Sequence, residues 1–352
     1  MSAARTLDTE SQMNYRKLGK YGVRLSEVGL GSWITYGGTT DEATSVACVR
    51  KAWDLGVNFF DTADVYQHGT AETILGRVLK DIRRSDCVLA TKCYSPMSQM
   101  PNDRGLSRKH IFESIHLSLR RLGTDYVDLY QCHRYDEETP LEETVRAMDD
   151  LVRQGKILYW GVSMWFARQM ARACRLAARM NLYPPASDQP CYNMIDRDVE
   201  YENVLAVCAR EGMGILVFSP LAQGVLTGKY KAGAPPPSGS RATTPEGSRL
   251  MRRTVEDQAL LTRVERLRPI AHDLGCTMAQ LALAWVLWQP EVATAIIGAT
   301  HPGQVEENVK AGEIRLSGDV LARIDAALGV TRVKQVGQAL RYRAAALLGR
   351  RG

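Results

Sequence analysis

The sequence lacks long apolar runs and paired cysteine motifs. None of its 352 residues lies in an apolar stretch of the roughly 18 to 20 residues that a membrane-spanning helix needs, and the start, MSAARTLDTESQ, contains no signal-peptide core. The eight cysteines form no C-x-x-C pair and show no metal-site spacing. A chain of this size does not depend on disulfides. We therefore predict a soluble, cytoplasmic protein with reduced thiols, no metal and no membrane contact, whose residues 1–12 are disordered.

A basic surface signature is also missing from most of the chain. The formal net charge is +6, and the segment 331–352 holds six basic residues and no acidic one. Residues 1–330 are therefore neutral overall, which argues against a nucleic-acid-binding surface. We predict a basic tail at 331–352, which is either solvated and disordered or docked on a neighbouring subunit or on the rim of the domain.

Short β-rich apolar runs alternate with longer segments of helical period. The predicted strands are residues 25–31, 57–61, 87–92, 126–133, 157–163, 187–190, 215–220 and 293–298. Such alternation indicates parallel βαβ units, and eight of them favour an α/β fold of the closed (β/α)8 barrel type over residues 13–330. A doubly wound sheet is the alternative, but the turn after the first strand, GLGSWITYGG, lacks the G-x-G-x-x-G motif.

Local signals refine this outline. Asp41, Ser107 and Thr139 stand where helix N-caps are expected, each just before a segment of helical period. Residues 13–26, MNYRKLGKYGVRLS, are typical of a hairpin that turns at KYG, and we expect it to close the N-terminal end of the barrel. Residues 231–250 are rich in Pro, Gly and Ser, which predicts a long functional loop on the C-terminal face.

Charged and aromatic residues follow three neighbouring strands of the predicted barrel. Asp61, Lys92 and His133 end the second, third and fourth strands, and Tyr66 lies on the loop after Asp61. The C-terminal ends of barrel strands converge on one mouth, so these side chains are expected to meet there. A charge at the edge of an apolar core needs a partner of opposite sign. We predict that Asp61 pairs with Lys92.

This group of residues suits the reduction of a carbonyl. We expect Lys92 to lower the pKa of Tyr66, which would make the phenol a proton donor, while a neutral His133 polarises the carbonyl. Proteins carry no hydride donor, so a nicotinamide cofactor is implied. The alternatives are that Asp61 and Lys92 form a purely structural ion pair and that His133 only ends a strand.

Motifs along nearly the whole chain, from about Tyr15 to about Leu328, resemble the aldo-keto reductase superfamily. They are YRKLGKYGVRLSEVGLGSW, FFDTADVY, GLSRKH, CHR, EETVRAM, YWGVS, FSPLAQGVLTGKY and IGAT followed by ENV. The sequence is most similar to the branch that contains the potassium-channel β subunits and their plant and bacterial reductase relatives. This resemblance implies a (β/α)8 barrel, NADPH as cofactor, no metal, and a catalytic tetrad at Asp61, Tyr66, Lys92 and His133.

The residue at position 133 separates members of this branch. The animal channel β subunits carry Asn there, whereas the catalytic relatives keep His. The resemblance therefore implies a working reductase. A channel β-subunit-like regulatory protein that binds NADPH is the alternative, and a dedicated reductase of a biosynthetic pathway is another.

The resemblance also implies the residues that bind the cofactor. Those that correspond to the family's cofactor contacts are Ser32, Trp33, Asp61, Ser163, Gln189, Phe218, Ser219, Leu221, Gln223, Lys229, Ser240, Arg241, Gly298, Thr300, Gln304, Glu307 and Asn308. Phe218 would stack on the nicotinamide, and either Arg241 or Arg249 would meet the 2′-phosphate. Their positions just past strand ends, and not the resemblance, predict that Trp33, Tyr94 and Trp165 line the substrate pocket together with Tyr66 and His133. Simple loop packing is the alternative for each of the three aromatic residues.

The expected partner is a small carbonyl substrate, an aldehyde or a ketone. The branch often forms tetramers or larger rings, so the resemblance implies a homo-oligomer. The frequent Ala and Arg residues are typical of a GC-rich bacterial genome. The tetrad does not choose among carbonyls, so the substrate does not follow from it.

Overall fold

The structure, a computed structural model, describes residues 13–330. These residues form two compact units. The first contains residues 13–190, Ala206–Phe218 and Pro290–Val309, and the second contains Cys191–Leu205, Ser219–Gln289 and residues 310–330. The predicted disordered start at 1–12 and basic tail at 331–352 lie outside the described residues.

The first unit is built around a closed barrel of eight parallel strands, preceded by a two-stranded hairpin. The strands are β1 (Tyr15–Lys17), β2 (Arg24–Ser26), β3 (Val28–Gly31), β4 (Phe59–Asp61), β5 (Val88–Cys93), β6 (Val127–Cys132), β7 (Ile157–Ser163), β8 (Ser187–Gln189), β9 (Gly214–Val217) and β10 (Val292–Ile297). From β3 to β10 each strand pairs with the next in parallel, and β10 returns to pair with β3. The predicted (β/α)8 barrel is confirmed, and a doubly wound sheet is excluded.

Helices follow the barrel strands as the alternating pattern predicts. They are α1 (Glu42–Asp54), α2 (Thr70–Leu79), α3 (Arg108–Leu122), α4 (Leu141–Arg153), α5 (Ala167–Met180), α6 (Asp198–Tyr201), α7 (Val204–Glu211), α8 (Pro245–Glu256), α9 (Gln258–Glu265), α10 (Arg268–Asp273), α11 (Met278–Leu287), α12 (Pro302–Val309) and α13 (Gly318–Leu328). No single helix within 13–330 has both the length and the apolarity to cross a bilayer. Residues 258–273 and 278–287 reach that length and apolarity only when taken together, and these two segments are bent by 88° relative to each other.

Two of the three predicted N-caps are confirmed. The side chains of Asp41 and Ser107 each accept a hydrogen bond from the backbone N–H three residues further on. The third prediction is wrong, because Pro140 occupies the N-cap position of α4. The hydroxyl of Thr139 instead donates to Asp136 Oδ2 at 2.7 Å and stabilises the preceding loop.

The N-terminal hairpin packs against the start of the barrel strands, as predicted. Leu18 and Leu25, both buried, belong to one apolar cluster with Phe59, Val88 and Leu129 from the barrel interior. The interior side chains of a barrel need a cover at the end where the strands begin. The hairpin supplies this cover within the first unit.

The predicted loop at 231–250 is shorter than its composition suggests. In the second unit a 3-10 turn covers Arg241–Thr243, and α8 already begins at Pro245. The hydroxyl of Thr244 accepts from the N–H of Gly247 at 3.1 Å and caps this helix. A Thr followed by Pro at the first helical position is a helix-start signal that the Pro-rich composition concealed.

We predict that Leu25→Ala lowers the free energy of unfolding by about 2–5 kcal/mol, the usual result of a cavity left by a buried leucine. Met100→Ala is the matched control, because Met100 is 66% exposed. Urea denaturation followed by circular dichroism measures both changes. Equal and small effects would show that the hairpin does not stabilise the barrel.

Candidate active site

A buried ion pair joins two neighbouring strands at the C-terminal end of the barrel. Lys92 Nζ, on β5, lies 2.6 Å from Asp61 Oδ2 at the end of β4. The same ammonium donates to the carbonyl oxygen of Thr62 at 2.7 Å. The Lys92 side chain has no exposed surface and that of Asp61 is 5% exposed, so each charge depends on the other. The predicted pairing is confirmed.

The second carboxylate oxygen of Asp61 accepts hydrogen bonds from two amides. Gln189 Nε2 lies 2.9 Å and Gln131 Nε2 lies 3.3 Å from Asp61 Oδ1. The sequence analysis did not single out Gln131. Its position on β6, two residues before His133, could have indicated it, because residues two apart on a strand point to the same face.

Tyr66 lies on the turn after β4, in the 3-10 segment Tyr66–Gly69. Its hydroxyl is 3.3 Å from Lys92 Nζ. The next two residues, Gln67 and His68, have φ values of 49° and 50°, a left-handed conformation that costs non-glycine residues about 1–2 kcal/mol each. The turn is therefore strained directly beside the phenol.

A second buried network supports this turn from outside the tetrad. Thr91, next to Lys92 on β5, donates to Glu72 Oε1 at 2.6 Å, and Arg121 Nε lies 2.6 Å from Glu72 Oε2. A Cβ atom at Gly69 would lie 2.6 Å from Cδ of Arg121. Only glycine therefore allows the end of the tyrosine turn to pack on this arginine.

The expected lowering of the Tyr66 pKa is wrong. Burial raises the pKa of Tyr66 by more than the charge of Lys92 lowers it. Burial also opposes the charge on Lys92, but Asp61 and Tyr66 together raise the pKa of Lys92 above its usual value. At neutral pH the site therefore contains a protonated phenol beside a permanently charged ammonium.

His133 lies beside the phenol just past the end of β6. The rings of Tyr66 and His133 meet edge to face, with centroids 5.8 Å apart. Burial, followed by the charges of Lys92 and Arg134, holds the pKa of His133 well below its usual value. The imidazole is therefore neutral at physiological pH. Its Nδ1 atom is buried without a hydrogen-bond partner among residues 13–330.

Four residues expected to contact the nicotinamide end of a cofactor lie in the first unit, namely Ser32, Ser163, Gln189 and Phe218. Ser32 Oγ donates to Thr62 Oγ1 at 2.9 Å, and Ser163 Oγ donates to the carbonyl oxygen of Gln189 at 2.8 Å. The fourth, Phe218, follows β9 and is half-buried. The Gln189 amide nitrogen is used by Asp61, which leaves its Oε1 as the atom able to accept from a carboxamide.

Five of the residues expected at the adenosine end lie at or just before α12, while Ser240 and Arg241 belong to the second unit. Gln304 Oε1 accepts from the backbone N–H of Thr300 at 2.8 Å and so holds the residues that lead into this helix. Gly298 and Glu307 are exposed, whereas Asn308 is buried. Trp33 and Leu221 are both half-buried.

In the second unit, the segment after β9 has an unusual backbone. Ser219, Ala222 and Gln223 all have φ between 47° and 56°, and Asn193 Nδ2 holds the carbonyl of Ser219 at 3.1 Å. Left-handed residues turn successive N–H groups toward one side, where they can bind an anion. Gln223 Oε1 and Ser240 Oγ are buried without hydrogen-bond partners in the described part of the chain.

Two cations of the second unit lie close together. Burial, followed by the charge of Arg241, lowers the pKa of Lys229. A Cβ atom at Gly224 would lie 3.1 Å from Lys229 Nζ, so the ammonium rests on the left-handed segment. Arg241 is half-buried, while Arg249 on α8 is exposed. Two adjacent cations are stabilised when an anion binds between them.

Aromatic side chains follow the strands of the first unit. Trp165 is 2% exposed, and its ring packs edge to face against Tyr135 with centroids 4.7 Å apart. Tyr94 is half-buried, and its carbonyl accepts from Gly105 at 2.7 Å. No three His, Cys, Asp or Glu side chains of residues 13–330 lie close enough together to hold a metal ion.

Comparison with known proteins identifies the family. The sequence profile described as "Aldo/keto reductase family" matches residues 27–328. The chain belongs to the aldo/keto reductase family. The match confirms the resemblance seen in the sequence motifs. Members of this family reduce carbonyl compounds with NAD(P)H.

Three relatives are named as channel subunits. A Schizosaccharomyces pombe protein is 41% identical over 94% of this chain and 98% of its own length. Proteins of Oryza sativa subsp. japonica and Arabidopsis thaliana are 43% and 44% identical over 89% and 86% of this chain, and 96% and 92% of their own lengths. The last two are each named "Probable voltage-gated potassium channel subunit beta". The first is also named as a voltage-gated potassium channel subunit beta, with a qualifier of the same kind. These relatives are eukaryotic, and the bacterial origin suggested by composition stays a prediction.

Asp188, next to Gln189 on β8, is a buried acid that forms no ion pair among residues 13–330. Its side chain has no exposed surface, and neither oxygen forms a hydrogen bond with the described residues. Burial raises its pKa to about 8, far above the value near 3.9 of an unfolded chain. Between about pH 4 and pH 8, the folded state therefore holds a proton on Asp188 that the unfolded state releases.

We predict that Asp188→Asn reduces the pH dependence of stability. The contribution of a raised folded pKa is complete below about pH 4 and is lost as the pH rises through about 8. The melting temperature of the variant relative to the unaltered protein should therefore rise from pH 5 to pH 8 and level off above. Differential scanning calorimetry at five pH values measures this difference, and a constant difference would contradict a protonated Asp188.

Proposed function

We propose that this protein is an NADPH-dependent reductase that converts an aldehyde or ketone to the alcohol. The observation that carries the proposal is the contact of one buried ammonium with two partners. Lys92 Nζ lies 2.6 Å from Asp61 and 3.3 Å from the hydroxyl of Tyr66. A neutral His133 lies beside the same hydroxyl.

Each residue then has a defined role. When bound, NADPH supplies a hydride to the carbonyl carbon, and the electron pair of the C=O π bond moves onto the oxygen. Tyr66 gives its phenolic proton to that oxygen, and Lys92 stabilises the tyrosinate that remains. Neutral His133 donates from one ring nitrogen to the carbonyl oxygen and orients it. Asp61 keeps Lys92 charged and in place.

The residues of both units fit the chemistry of this cofactor when each unit is considered alone. In the first unit, Gln189 Oε1 can accept from a carboxamide, because its Nε2 is used by Asp61. In the second, Lys229 and Arg241 bring two positive charges together, which suits phosphate groups. Arg241 acts on Lys229, which favours it over Arg249 as the residue that meets the 2′-phosphate. A contact with that phosphate selects NADPH over NADH.

A regulatory protein that binds NADPH is the second candidate. It is favoured by the names of the three relatives. His133 favours a working enzyme, since a neutral imidazole beside Tyr66 completes a proton-donating pair. A reductase dedicated to a biosynthetic pathway would use the same residues. We further propose a cytoplasmic homo-oligomer whose partner is a small carbonyl compound.

We predict that Tyr66→Phe lowers kcat for carbonyl reduction by at least about 100-fold, because a general acid contributes roughly 10² to 10⁴ in rate. NADPH binding should be retained, since the ring stays in place. Fluorescence titration with NADPH and NADH, followed by assays with small aldehydes, methylglyoxal and bulky ketones, measures both properties.

The matched control is Tyr183→Phe, because Tyr183 is 52% exposed and lies outside the candidate site. Turnover that persists in Tyr66→Phe would overturn the proposed acid. Tight NADPH binding without turnover of any carbonyl in the unaltered protein would favour the regulatory candidate.

We also predict that kcat for reduction shows no loss near pH 6.5 as the pH falls. The pKa of His133 lies well below its usual value, so the imidazole stays neutral through this range. Burial raises the pKa of Tyr66, so the phenol also keeps its proton. A profile of kcat from pH 5.5 to 9.5 checks both points, and an acidic limb centred on 6.5 would contradict the neutral histidine.

A further inference from the structure

The charge of Arg134 acts on the two groups that would meet the carbonyl, His133 and Tyr66. Arg134 directly follows His133, and its Nη1 donates to the backbone oxygen of His133 at 2.6 Å. After burial and Lys92, the charge of Arg134 also lowers the pKa of His133, and it is among the charges that act on Tyr66 and Tyr94. Because the side chain is exposed, a molecule entering from solvent can reach it.

This charge has no acidic partner within the described residues 13–330. Among the carboxylates that the structure describes, none lies within 4.0 Å of the guanidinium. The nearby Asp136 already accepts hydrogen bonds from the N–H of Leu106 and the hydroxyl of Thr139, both at 2.7 Å. Asp188, which also acts on Arg134, keeps its proton at neutral pH because its pKa is about 8.

The four tetrad side chains together carry no net charge at neutral pH. Asp61 neutralises Lys92, and the pKa shifts of Tyr66 and His133 keep both side chains uncharged. Arg134 adds a positive charge that forms no ion pair with any of the described residues 13–330. A guanidinium has five N–H donors in a planar fork, and only one of them is used by the backbone.

We infer that Arg134 makes the site select carbonyl compounds that also carry a carboxylate. A carboxylate can accept two parallel N–H groups from one guanidinium, an interaction that neutral groups of the same shape cannot reproduce. The carbonyl end would meet Tyr66 and His133 while the anionic end meets Arg134. This inference rests on the proposed reductase function and names its substrate class.

The test compares two aldehydes of similar shape, 4-carboxybenzaldehyde and 4-methylbenzaldehyde, with NADPH as the reductant. The unaltered protein should show a higher kcat/KM for the carboxylate. In Arg134→Met the ratio of the two kcat/KM values should fall by about 10- to 100-fold, the range expected for a hydrogen bond to a charged group. Arg134→Lys should restore part of the ratio, because it keeps the charge without the planar fork.

The control variant is Arg50→Met, which removes an exposed arginine paired with Asp81 on the surface of the same unit. Its ratio should equal that of the unaltered protein. Benzoate and benzamide provide a second measurement on the unaltered protein, which does not depend on any variant folding. Benzoate should inhibit reduction of 4-methylbenzaldehyde more strongly than benzamide does.

The outcomes separate the two proposals. If the protein reduces neither aldehyde and no other carbonyl, the proposed function fails. If both aldehydes are reduced with a ratio that Arg134→Met leaves unchanged, or if benzoate inhibits no better than benzamide, the reductase stands and the inference about Arg134 is overturned.

Discussion

The buried ion pair between Asp61 and Lys92 is the interaction on which the rest of the site depends. Removing one charge of a buried pair commonly costs about 3–5 kcal/mol, because the other charge stays without a partner. Here the pair also connects β4 with β5, and two amides, from Gln131 and Gln189, converge on the free oxygen of Asp61. Several groups other than Tyr66 therefore fix the position of the ammonium. Burying these charges costs free energy, and the structural result is a fixed position for the ammonium beside the phenol.

Much of this arrangement follows from the sequence because it depends on strand ends. The position of a strand in the chain determines where a barrel delivers its last residue, so Asp61, Lys92 and His133 could be placed at one mouth without coordinates. The hairpin and two N-caps were predictable for a similar reason, since each depends on a few neighbouring residues. The family profile over residues 27–328 agrees with that outline.

Other features depend on distances that no local pattern contains. The pKa of Tyr66 is set by a balance between burial and a cation, and the sequence indicates only that the cation is near. Thr139 had the residue type of a cap, but Asp136 lies within reach of its hydroxyl and takes it instead. Arg134 was visible as part of the motif CHR. Its lack of an acidic partner became apparent only when the surrounding carboxylates could be located.

The family profile begins after the N-terminal hairpin, whereas the folded barrel includes that hairpin. The family profile begins at residue 27, after β1 and β2 have ended, whereas Leu18 and Leu25 are buried in the barrel's own apolar cluster. A protein produced from residue 27 onward would contain every residue of the tetrad but would expose Phe59 and Leu129 to water at the opposite end. Expression boundaries drawn from the family profile alone would therefore remove part of the hydrophobic core.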